Sequence, residues 1–186
     1  MGIKIGIVGA GGNTRLRHIP GFRAIDDVEI VGVVNRTRES SEKSAQEFSI
    51  PAVFNHWQDM IDSPDIDAVC IATPAHWHAI LTIGALESGK DVDCEKPVTH
   101  NVHDSGEVMN AVKNNKRVLQ TGSMQRSSRG FRVACELVRN GVIGEVKRTA
   151  VNIGGPGRPC DRKTEPDAPG LDRNCPLVTS AAAASG

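Results

Sequence analysis

Glu95-Lys96-Pro97 follows Gly89-Lys90-Asp91-Val92-Asp93-Cys94, which puts a charged pair and a proline where a short strand gives out. A core strand has no need of such residues. A lysine amine beside a cationic ring loses proton affinity through like-charge repulsion and becomes a proton acceptor near neutral pH. Glu95 would hold that lysine in place, and Pro97 would fix the turn through a cis peptide. The plainer alternative is a surface ion pair at a strand end. A partner for this chemistry lies at the start of the chain, where Lys4-Ile5-Gly6-Ile7-Val8 runs into Gly9-Ala10-Gly11-Gly12-Asn13-Thr14. A strand, a turn without Cβ atoms and a helix N-terminus with unpaired N–H groups bind a pyrophosphate without any basic side chain. Gly9, Gly11, Gly12 and Asn13 are the expected contacts. Thr14 stands where the dinucleotide fingerprint has its third Gly or Ala, so an ordinary tight turn stays open as an alternative.

Two further segments fall where a dinucleotide would reach. The residue closing the second strand is Asn35, at the position where an acid would bond a ribose 2′-hydroxyl and repel a 2′-phosphate. With no carboxylate there, a phosphate would sit against Arg36 or Arg38, which tilts an NAD-or-NADP expectation toward NADP. The alternative makes both arginines solvated residues at the start of a helix. The fourth strand ends in Ala72-Thr73-Pro74-Ala75-His76-Trp77-His78, at the edge of the sheet where ligands bind in open α/β folds. Thr73, Pro74 and His78 are therefore candidate cofactor contacts, as are Glu95 and Lys96. A metal is not expected from His76 and His78, because two-residue spacing on a helix points the rings apart. His100 and His103 are no better placed.

The elements that must position these residues read as strands alternating with helices, hence a parallel sheet with crossover helices. The expected strands are 3–8, 28–34, 52–54, 68–72, 91–94 and 117–121. The expected helices are 14–24 with a bend at Pro20, 38–48, and 75–88 stopped by Gly89. The last presents Ile80, Leu81, Ile83, Gly84 and Leu86 as a broad apolar face. A further helix is capped by Asn101 with Asp104, and sends Val108, Met109, Ala111 and Val112 toward the core. Beyond Ser123 the pattern changes to a helix over 128–139, ended by Asn140-Gly141, and a strand over 145–153. From Gly154 the chain is rich in Gly, Pro and charge, and Ser180-Ala-Ala-Ala-Ala-Ser-Gly has nothing to bury.

Composition excludes several classes of function. The 186 residues carry 22 Lys plus Arg against 22 Asp plus Glu, so no net field favours nucleic acid or an anionic membrane. There is no Tyr to stack on bases, and no apolar run approaches a membrane span. Cys70, Cys94, Cys135, Cys160 and Cys175 form no CxxC pair, and their odd number argues against a secreted disulfide framework. A cytoplasmic setting with reduced thiols is expected.

Together the glycine turn, Thr73-Pro74-x-x-x-His78 and Gly-Lys-x-Val-x-Cys-Glu-Lys-Pro over 89–97 resemble the glucose-fructose oxidoreductase, inositol dehydrogenase and rhizopine-catabolism family (Gfo/Idh/MocA). Arg17-His18-Ile19-Pro20 is similar to it as well, and the resemblance covers 3–153. It implies a Rossmann-type doubly wound parallel sheet followed by the first helix and strand of an α+β domain. Its motif lysine, here Lys96, lies beside nicotinamide and substrate and assists proton transfer. The resemblance further implies oxidation or reduction of a sugar or cyclitol hydroxyl, and a homo-oligomer built through a large C-terminal sheet. The division expected is 1–124 as the NAD(P)-binding domain, 125–155 as the start of a truncated substrate and oligomerisation domain, and 156–186 as an irregular tail. The family's substrate-side histidine and aspartate come from that second domain, and nothing here replaces them. Segment 154–160 still resembles the family whereas 171–186 does not. Two other outcomes stay open: a dinucleotide-binding fragment or sensor without turnover, and the NAD-dependent glycoside cleavage found in some members.

Overall fold

A computed structural model describes residues 2–152. The chain divides into two compact units, Met1–Gly122 and Ser123–Gly186. The first holds one six-stranded sheet: β1 (Ile3–Val8), β2 (Val28–Val34), β3 (Ala52–Val53), β4 (Ala68–Ile71), β5 (Asp91–Cys94) and β6 (Leu119–Thr121). The strand order is β3-β2-β1-β4-β5-β6 and every pairing is parallel. This is the doubly wound Rossmann order, whose reversal between β1 and β4 opens a crevice at the strand C-termini. Strands 1, 2 and 5 have the bounds expected from sequence, while β3, β4 and β6 are shorter than expected by one or two residues.

Alternation along the strands sends side chains to two cores. Ile5, Ile7, Ile30, Val33 and Cys70 face one side, where Ile19 and Ala45 cover them. Val8, Val34, Val69, Ile71, Val92 and Cys94 face the other, against Leu81, Ala85, Leu86, Val108 and Ala111. The covering helices are α1 (Ile19–Arg23), α2 (Arg38–Glu47), α3 (Trp57–Ile61), α4 (His78–Glu87) and α5 (Val102–Asn115). Fully burying a Leu or Ile side chain contributes roughly 1.5–3 kcal/mol, so the two cores carry most of the fold's stability. Thr37 caps α2 by accepting from Ser40 N, and Asn101 caps α5 by accepting from Asp104 N at 2.8 Å.

Several expectations are corrected. The first helix begins at Gly12, not Thr14, and its irregularity is a wide π turn over Thr14–His18, upstream of Pro20. Ile19 N–H closes that turn on Thr14 O, and Pro20, which has no N–H to offer, falls in the first turn of α1 where none is needed. Met109 points out to solvent at 56% exposure while its neighbours Val108 and Ala111 are buried. Helix α3 was not anticipated, nor was α6 (Met124–Ser127).

In the second unit, α7 (Arg129–Arg139) closes at Gly141, whose φ is 72°. Residues 145–152 form no strand, and the sheet takes in no strand beyond β6 among the described residues. Ile153 and the expected tail over 156–186 lie outside the described residues. No helix among the described residues is long and apolar enough to cross a membrane.

Gly9 is held by the fold itself. Its φ is +94°, and a Cβ there would lie 2.8 Å from the backbone oxygen of Ala72. Gly9→Ala is expected to lower stability by about 2 kcal/mol or more, combining left-handed strain with a clash against backbone that cannot move aside. Urea unfolding followed by circular dichroism measures it; an unchanged midpoint contradicts the close approach of β1 and β4.

Candidate functional site

The crevice is built from three loops at the C-terminal ends of β1, β4 and β5. At the end of β1 the glycine turn is tied from several sides. Gly9 N–H donates to Val34 O at 2.9 Å, and Thr14 Oγ1 donates back to Gly9 O at 2.7 Å. Thr14, which breaks the fingerprint, is thus a buried fastener of the turn. Arg15 N–H reaches Gly11 O at 3.0 Å and starts the helix. Among the described residues no acceptor meets the N–H groups of Gly11, Gly12 or Asn13. A Cβ on Gly11 or Gly12 would touch nothing within 4 Å. Open space in front of unpaired amides at a helix start is the shape a diphosphate requires.

The Asn35 side chain is engaged within the chain itself. Its Oδ1 accepts Ala10 N–H at 2.6 Å, and its Nδ2 donates to Ser40 O at 2.9 Å and Ser44 Oγ at 3.2 Å. The side chain is spent on holding the glycine turn to α2. Arg38 is also engaged, with Nε on Glu42 Oε1 at 2.7 Å and a second nitrogen on Asn55. Arg36 is exposed and has no side-chain partner among the described residues. Of the expected readers of this corner, Arg36 is the one left available.

At the end of β4, Thr73 Oγ1 is buried without a hydrogen-bond partner. Pro74, exposed, starts the short turn Ala75–Trp77 that leads into α4. His78 is 2% exposed, with Nδ1 2.6 Å from Pro97 O and Nε2 2.8 Å from Thr73 O. It ties the loop after β4 to the loop after β5. His76 lies nearby with its Nδ1 buried and unpartnered, and burial holds its pKa below the usual value, helped by His100 and His78.

At the end of β5, the Lys96-Pro97 peptide is cis. Glu95 does not hold the Lys96 ammonium as expected. Its Oε1 accepts from Asn13 Nδ2 at 2.9 Å and from His18 Nε2 at 2.9 Å, while Oε2 accepts only the backbone N–H of Lys96 at 3.2 Å. Asn13 and His18, both on the helix that begins at Gly12, take that carboxylate's Oε1 instead. Lys96 is exposed, and its ammonium meets no carboxylate among the described residues. The bond from Asn13 to Glu95 fastens the amide cradle to the loop that carries the lysine.

Sequence reading missed a group beneath that bond. His18, Cys70 and Asp93 bring one ligand atom each to within 4.8 Å of one another. The Asp93 carboxylate raises the His18 pKa most; burial opposes it and Glu95 adds to it. Burial pushes the Cys70 thiol well up, and Asp93 adds to the effect. His18 was visible only as part of Arg17-His18-Ile19-Pro20, and Cys70 and Asp93 sit side by side only through the β4–β5 register.

Comparison with known proteins bears on the family and the fold. The model of an oxidoreductase family with an NAD-binding Rossmann fold (GFO_IDH_MocA) matches residues 3–123. An inositol 2-dehydrogenase of Salmonella typhimurium is 32% identical over 149 residues, covering 78% of this chain and 44% of its own. Scyllo-inositol dehydrogenase from Lactobacillus casei, solved with NAD(H) and scyllo-inositol, superposes with a TM-score of 0.71 at 28% identity, covering 78% of this chain and 43% of its own. A 3-ketoreductase from Actinomadura kijaniata, solved with NADP, has a TM-score of 0.73 at 23% identity over 78% of this chain and 44% of its own, a likeness of fold. The chain spans under half the length of the curated relatives it matches. Because the matched stretch runs from β1 through β6 and includes both loops that Asn13 and Glu95 join, the chain belongs to the Gfo/Idh/MocA oxidoreductase family.

Proposed function

We propose that this chain supplies the dinucleotide-binding half of an NAD(P)-dependent oxidoreductase that acts on a hydroxyl of a sugar or cyclitol. The observation that supports the reading is the 2.9 Å bond from Asn13 Nδ2 to Glu95 Oε1, which fastens an open amide cradle to the loop that bears Lys96. When bound, the nicotinamide supplies the acceptor or donor of hydride. The chain's own groups do the rest. Gly11, Gly12 and Asn13 would donate backbone N–H to the diphosphate, and the unpartnered Thr73 hydroxyl would offer it a further hydrogen bond. His78 keeps the β4 and β5 loops in register. Lys96 Nζ takes the proton of the substrate hydroxyl on oxidation and returns it on reduction. Residues 125–155 open the second domain, and the full-length protein is a cytoplasmic homo-oligomer.

Calorimetric titration with NADH and NADPH tests this reading; no heat from either with a folded sample removes it. Arg36 separates the two cofactors. Its guanidinium is free to fork onto a 2′-phosphate, so Arg36→Ala is expected to weaken NADPH about tenfold and leave NADH unchanged. Equal loss for both would mean that Arg36 serves the shared part of the dinucleotide.

A further inference from the structure

We propose that His18, Cys70 and Asp93 form a binding site for a single zinc-class divalent ion, which pins the helix of the phosphate cradle to the sheet. His18 Nδ1 lies 3.6 Å from Cys70 Sγ and 3.7 Å from Asp93 Oδ2, and Cys70 Sγ lies 3.8 Å from the same Asp93 oxygen. A nitrogen-to-oxygen separation of 3.7 Å is too wide for a hydrogen bond, which closes to about 2.7–3.2 Å. The three atoms instead form a nearly equilateral triangle. A point equidistant from its corners lies about 2.1 Å from each in the plane of the triangle and about 2.3 Å from each at the height of a tetrahedral ion, within about 0.2 Å of the roughly 2.0–2.3 Å of zinc bonds to nitrogen, oxygen and sulfur.

The donors fit as a set. Imidazole, thiolate and carboxylate together favour zinc over the hard ions magnesium and calcium. The other ring nitrogen of His18 already donates to Glu95 Oε1 at 2.9 Å, which leaves Nδ1 with its lone pair toward Cys70 and Asp93. A carboxylate behind the imidazole is the usual partner of a metal-bound histidine. The anchors are stiff: Cys70, 1% exposed, and Asp93 are paired residues on adjacent parallel strands. His18 arrives from the helix that begins at Gly12. Among the described residues no fourth side chain joins the group, so the fourth corner falls to water. Binding forms the metal–sulfur bond and releases the thiol proton to solvent.

The test uses the full chain, reduced, stripped of metal and carrying Cys135→Ser, Cys160→Ser and Cys175→Ser, which leaves Cys70 and the fully buried Cys94 as its thiols, with Co2+ as spectroscopic probe and Zn2+ as competitor. One equivalent of Co2+ is expected, with the visible bands of a four-coordinate ion and a thiolate charge-transfer band that Zn2+ abolishes. Cys70→Ser should remove the charge-transfer band and weaken Zn2+ at least a hundredfold. Asp93→Asn, isosteric and half-buried, should keep that band and weaken Zn2+ at least tenfold, and it carries the test if Cys70→Ser fails to fold. No uptake by the folded chain, or a spectrum and affinity indifferent to both changes, overturns the proposal. Dinucleotide binding is not needed for any of these readouts, so either reading can fail without the other.

Discussion

Gly11→Val is expected to lower the affinity for both NADH and NADPH at least a hundredfold while leaving the fold as stable as before. The prediction rests on an asymmetry within one turn. At Gly9 a side chain would run into the backbone of Ala72, whereas at Gly11 a Cβ meets nothing within 4 Å. The protein therefore does not need a glycine at position 11; an incoming anion does. Two valine methyls would occupy the space in front of the helix start and hold a diphosphate away from the amides of Gly11, Gly12 and Asn13. Each charge-assisted hydrogen bond lost costs about 1.5–3 kcal/mol, so losing two of them already accounts for a hundredfold. Titration calorimetry and urea unfolding, run on the same preparation, check both halves. Unchanged affinity would mean that the diphosphate lies elsewhere, and loss of affinity only through unfolding would make the glycine structural.

Lys96→Ala is expected to reduce turnover by about 10²–10⁴-fold, with dinucleotide affinity changed less than tenfold. The ammonium is exposed and meets no carboxylate among the described residues, so its removal leaves no buried charge behind and disturbs no ion pair. Glu95, which does hold structure through Asn13 and His18, provides the contrast. Glu95→Gln should disturb the cradle itself and weaken the dinucleotide, a KM effect, where Lys96→Ala acts on kcat. The assay is a panel of polyols and sugars with the full-length protein, and the separation of kcat from KM decides it. Turnover indifferent to Lys96 would take the proton step away from this loop. Dinucleotide binding with no turnover on any polyol would favour a sensor.

The doubly wound sheet was legible in the sequence because each strand is a short apolar run bounded by its own stop signals. Gly89 and the Asn101 cap act within a turn of where they stand, and the structure places them as local physics requires. Helix α3 was not legible. It has five residues, too few to show a period, and it forms because Trp57 lies against Gly84 while Met60 and Ile61 enter the core. The strand expected over 145–153 does not form over its described part, 145–152, because a run of strand-forming residues states a preference, and a strand is made only where another strand is set beside it.

The candidate site divides along the same line. Which residues could do chemistry, the glycines of the turn and the lysine after β5, followed from the sequence, since backbone freedom at glycine and the charge of an amine belong to single residues. What each polar neighbour does with its side chain was decided by the tertiary structure alone. Asn35 is spent on the turn, Glu95 on Asn13 and His18, and Cys70 meets Asp93 across a strand register. Hydrogen bonds and metal triangles are made between residues tens of positions apart, so their distances exist only once the sheet has set which strands are neighbours.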